Sequence, residues 1–139
     1  MKAALALLVL AVVGTAIGIA ARLPYQFGGI GEPSRVGEDF VTRGTAVSPP
    51  VVALVILAIA IVIAMQRGLV GRLGSALLAI LAAVFFIPTL GEITGAGAFS
   101  GATQVFVIVW ALIGLAILVL MLWSGAREAI RGQPSTPSA

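Results

Sequence analysis

The chain contains no cysteine and no histidine. Without Cys there is no disulfide to staple an exposed loop, no thiolate for a metal or haem, and no cysteine nucleophile. Without His, the commonest general base, metal ligand and switch near neutral pH is gone as well. Charge is scarce: eight Lys and Arg and five Asp and Glu amount to 9% of 139 residues, for a formal net charge of +3. The cations, one Lys and seven Arg, are scattered singly. No continuous basic stripe exists to track a phosphate backbone, so nucleic acid is not an expected partner. Catalytic residues, cofactors and metal ligands are assigned nowhere, and the chain is not expected to be an enzyme.

What fills the chain is apolar, 60% of it. Residues 3–21, 49–65, 73–90 and 104–123 carry no Asp, Glu, Lys, Arg or His. At about 1.5 Å of rise per residue, each of these runs spans the roughly 30 Å hydrocarbon core of a bilayer. A soluble bundle would need a polar face on each helix, whereas Leu54–Met65 and Val105–Trp123 are apolar all round. The expectation is an all-α integral membrane protein, a single domain built as a four-transmembrane-helix antiparallel bundle. The excess of Ala, Val, Gly and Leu, and of Arg over Lys, is that of chains coded by GC-rich bacterial genomes, so a bacterial cell membrane is the expected location.

Met1-Lys2 before Ala3–Ala21 also fits the start of a secretory signal peptide. The apolar run exceeds the usual signal core of about 7–15 residues and Gly18-Ile19-Ala20 is a weak cleavage pattern, so it is read as a retained helix. Residues 22–48, dense in Gly and Pro, read as a loop. Ser48 is expected to cap the second helix, with Pro49 in its first position. The connector Gln66–Arg72 turns the chain back, Pro88 ends the third helix, Gly91–Thr103 forms a turn carrying Glu92, and Ser124-Gly125 stops the last helix before a tail over 124–139. Lys2, Arg67, Arg72, Arg127 and Arg131 fall on one side and Arg22, Arg35 and Arg43 on the other. Five against three places both termini in the cytoplasm and the 22–48 loop outside, with Tyr25 and Trp123 as interfacial anchors.

Candidate contacts follow from spacing. Gly14 and Gly18 form a GxxxG pair, and Ser75, Ala79 and Ala83 a small-residue row on the third helix. Both patterns let helix backbones approach, and the two faces are expected to pack on each other. Phe85 and Phe86 are expected near Phe106 and Trp110, with the Trp110 N–H reaching a carbonyl freed by Pro88. In the outer loop, Tyr25, Phe27 and Phe40 offer apolar anchors, and Arg35, Glu38, Asp39 and Arg43 offer register to a partner. No span holds an ionisable residue, which argues against coupled transport. The expected function is that of a non-catalytic accessory, scaffold or interaction protein working through helix packing and this loop. Its partners are the lipid bilayer and a membrane protein or a second copy of the chain. The alternative is a small-molecule or lipid transporter or channel, as an oligomer.

Overall fold

The computed structural model describes residues 1–25 and 31–131 and is all-helical among them, with a lone bridge between Thr45 and Ser48 in place of any strand. The helices are α1 (Lys2–Ala20), α2 (Val36–Asp39), α3 (Val51–Ala64), α4 (Gly68–Gly95) and α5 (Gly101–Arg131), with 3-10 turns at Pro33–Arg35 and Ala96–Ala98. Three stretches, Lys2–Ala20, Gly68–Ala98 and Gly101–Arg131, are long and apolar enough to cross a membrane. The fourth apolar helix, α3, has 14 residues and so runs only about 21 Å.

α4 packs along both α5 and α3, and α1 packs against α5 and α3. The surfaces left over are aliphatic: Val9 and Val12 on α1, Val55, Ile59 and Val62 on α3, Ile80 and Ile87 on α4, Val105, Leu112 and Leu120 on α5 all stand exposed. Contiguous apolar faces on every long helix have no favourable contact with water, and lipid tails supply one. The molecule is a membrane-embedded helical protein.

Several boundaries differ from those the sequence predicts, each for a tertiary reason. α4 runs through Pro88 instead of ending there, and Glu92 lies on the helix rather than in a turn. Proline removes one backbone donor, but α5 packs alongside, and the Thr89 hydroxyl donates to Phe85 O at 2.8 Å, which gives the interrupted turn another polar contact. α5 likewise passes Ser124-Gly125 and continues to Arg131, eight residues beyond the expected end at Trp123. Gly125 is a packing residue: a β-carbon there would stand 2.8 Å from Ser75 O and 3.1 Å from Ala79 N on α4. The turn joining α3 to α4 shrinks to Met65–Arg67. α3 starts at Val51 after Pro50, without a side-chain cap, because the Ser48 hydroxyl is engaged with Thr45 Oγ1 at 3.0 Å.

The end of α1 has a fully bonded cap. Leu23 N donates to Gly18 O at 2.8 Å and Arg22 N to Ile19 O at 3.2 Å, the pairing of a Schellman motif. The residue in the left-handed conformation is Arg22, at φ 53°, where glycine is usual.

Two packed clusters form the interior. At the end holding the Met65–Arg67 turn, Leu7, Leu57, Ile61, Leu78, Leu118 and Met121 interlock. At the other end Leu23, Ala46, Val47, Ala96 and Val107 do so, with Phe106 and Trp110 packed around them.

Candidate functional site

Between the two clusters lies a cavity of about 560 Å³, walled by α1, α3, α4 and α5 and by the segment that leads into α3. That segment, Gly44–Ser48, is buried along its whole length although it belongs to the loop. Gly44 makes the entry possible: its φ of +80° is a left-handed turn, and a β-carbon would stand 2.8 Å from Pro49 C and Pro50 N. Buried backbone needs hydrogen-bond partners, and the segment finds them locally. Thr45 N donates to Ser48 O at 3.0 Å, Ser48 N to Thr45 O at 3.4 Å, Val47 N to Thr45 Oγ1 at 3.3 Å, and Ala46 N to Leu23 O at 3.2 Å. Val47 O receives the Trp110 indole N–H from α5 at 2.8 Å.

Gly14 and Gly18 are both buried, on the face of α1 that receives this segment. A β-carbon at Gly14 would overlap Val47 O, and one at Gly18 would overlap the Thr45 side chain. The GxxxG pair therefore admits a loop backbone, not a helix. Ser75 and Ala79 face α5 at Gly125, and Ala83 is exposed, so the two small-residue faces do not meet. The Trp110 acceptor is Val47 O rather than a carbonyl near Pro88, because the buried segment reaches the indole. Trp110 pairs with Phe106 on its own helix, centroids 5.4 Å apart, while Phe86 stays on the outer surface.

The cavity has unlike ends. Leu7, Leu57, Phe85 and Leu118 line its apolar end, and Tyr25, Arg43, Thr89 and Glu92 line the other. Arg43 donates through Nη1 to Tyr25 Oη and its guanidinium lies 5.1 Å from the centre of the Tyr25 ring, a cation–π contact on a side chain that remains exposed. Glu92 is half-buried on the α4 wall.

The other loop residues go elsewhere. Arg35 and Glu38 pair with each other at 3.4 Å on the surface, and this bond, with Asp39 nearby, raises the Arg35 pKa above its already high value. That guanidinium is charged at any working pH. The carbonyl of Asp39 receives Thr42 N at 3.1 Å and Arg43 N at 2.7 Å, and Phe40 O receives Val51 N at 3.3 Å, so both serve the loop's own fold. Phe27 lies outside the described residues.

At the opposite end, Ser75 Oγ donates to Glu128 Oε2 at 3.2 Å and Arg72 Nε to Ala129 O at 3.1 Å, tying α4 to the extension of α5. Trp123 carries Arg127 over its ring at 5.7 Å.

Sequence reasoning missed Glu92 as a wall residue of the helices. Its signal was the i, i+3 spacing from Thr89, which puts both on one face if the helix passes Pro88. Compared with protein-family models, curated proteins and solved structures, the chain matches none.

Proposed function

We propose that this is a multi-pass membrane protein that works without catalysis by holding a small amphiphilic molecule in the cavity between its helices. The observation that carries this reading is the cavity itself. It has the size of a small-molecule site, about 300–1,000 Å³ in general, and it is polar at one end and apolar at the other. The frame around it is proposed as a four-span antiparallel bundle in which α3, lengthened by Pro49, Pro50 and Met65, serves as the short span. The distribution of Arg and Lys supports a cytoplasmic position for both termini. A non-catalytic role is favoured by a chain without His or Cys. The scaffold role through the outer loop is the weaker reading, because Tyr25 and Arg43 line the cavity and Gly44–Ser48 is buried against α1 and α5.

Gly114 provides the test. It lines the cavity, and a β-carbon on it would touch only Thr89 Cγ2, at 3.8 Å. Gly114→Leu should therefore fill the space without displacing backbone. The expected result is a molecule retained at about one per chain when the native protein is taken from membranes into mass spectrometry, and lost from Gly114→Leu while that variant melts no lower than the parent. Retention of the same molecules by both proteins would defeat the proposal.

A further inference from the structure

Resting on that reading, we infer that the occupant is a cationic amphiphile: an amine or ammonium head at Glu92, carried on one short chain or ring system that lies against Phe85, Leu57 and Leu118. Three observations lead there.

The first is which groups at the polar end are left to receive a ligand. The Trp110 N–H is given to Val47 O at 2.8 Å, the Thr89 hydroxyl to Phe85 O at 2.8 Å, and the Ser48 hydroxyl is shared with Thr45 at 3.0 Å. These neutral donors are engaged inside the protein. The acceptors are better placed for a guest. A carboxylate has room for about four hydrogen bonds, so Glu92 accepts a ligand donor alongside any bond within the protein. Farther along the wall, toward the apolar end, Pro88 lacks an N–H, so the carbonyl of Val84 loses its usual helical donor, and both residues line the cavity. A site rich in acceptors calls for a donor, and an ammonium group is one.

The second is charge. Arg43 and Glu92 both line this end, but they stand in different surroundings. Arg43 is exposed and held on Tyr25, where water screens it. Glu92 is half-buried on a helix flanked by apolar residues, where an opposite charge is attracted more strongly. Trp110, which also lines the site, offers an aromatic ring that adds attraction for a cation.

The third is size. Along α4 the lining runs from Val84 to Glu92, eight residues or about 12 Å. A lipid acyl chain covers half of a roughly 30 Å core, about 15 Å, and a phospholipid carries two. The space suits one shorter chain or a fused ring, not a bilayer lipid.

The test uses the full chain in nanodiscs of zwitterionic lipid, with Trp123→Phe so that Trp110 is the only indole. Three brominated probes of equal chain length are titrated against its fluorescence: an alkyltrimethylammonium, an alkyl sulfate and an alkyl glucoside. Only quenching that Gly114→Leu abolishes counts as cavity binding. The cationic probe is expected to bind at least about tenfold more tightly than the other two, a preference lost in Glu92→Gln and kept in Glu92→Asp. The Asp variant, together with helical circular dichroism, separates loss of charge from loss of fold. Equal cavity binding of all three probes, or a preference unchanged in Glu92→Gln, overturns the cationic assignment and leaves the cavity reading standing. No Gly114-sensitive quenching by any probe removes both.

Discussion

Gly14 and Gly18 sit where the chain passes closest to itself, and their role illustrates how a short pattern carries half of a structural fact. The four-residue spacing places two glycines on one helix face, and both are buried as that spacing implies. What lies opposite is the turn Thr45–Val47, which a pattern confined to residues 14–18 has no means of specifying. A methyl group at either position meets backbone or a short stiff side chain, with no flexible side-chain end to yield. Gly14→Ala and Gly18→Ala are each expected to lower stability by about 1–3 kcal/mol, the usual cost of overpacking. Gly97→Ala, where a β-carbon meets nothing within 4 Å, should be neutral. Thermal unfolding in detergent compares the three, and equal melting temperatures would show that the 44–48 segment does not press on α1.

At the scale of an element, α4 is where local rules and tertiary packing disagree most. Pro88 restricts its predecessor and removes a donor, which in isolation favours a helix end, yet the helix continues for seven residues to Gly95. Packing along α5 holds the two halves together, and in lipid an open backbone would leave further polar groups unsatisfied. Pro88→Ala should restore a donor to Val84 O and relieve the ring's clash with that carbonyl. The expected gain is up to about 3 kcal/mol in stability, read as a higher melting temperature. If the variant melts higher but no longer retains its amphiphile, the proline is maintained for the site. If it melts lower, the helix is packed around the proline and the ring costs it nothing. The same conflict, resolved the same way, carries α5 through Ser124-Gly125: a residue that reads as a stop is a contact for Ser75 and Ala79.

For the molecule as a whole, the proposed orientation rests on basic residues near the helix ends, and the helix extensions leave that count unchanged. Arg67 lies in the α3–α4 turn and Arg72 on the opening turns of α4, and Arg127 and Arg131 lie on the last turns of α5. A cytoplasm-active reporter joined after Ala139 and an export-active reporter inserted at Gly37, which is exposed, should both be active; the reverse pattern would invert the topology. The sequence alone was enough for the apolar, all-helical character and for the approximate positions of the long helices. Hydrophobic length and the scarcity of charge act locally, and lipid leaves the backbone little choice but to bond within each helix. It was also enough to single out the residues that permit close approach. Tertiary structure decided everything that needed a partner: that Tyr25 and Arg43 line the same cavity as Glu92, that Gly44–Ser48 folds inward against α1 and α5, and that two packed clusters leave a space between them. The physical reason is that these contacts join residues far apart in the chain, Trp110 and Val47 being 63 positions from each other. Their formation depends on how bulky and small side chains from four helices fill the same volume, and no local window of the chain holds that information.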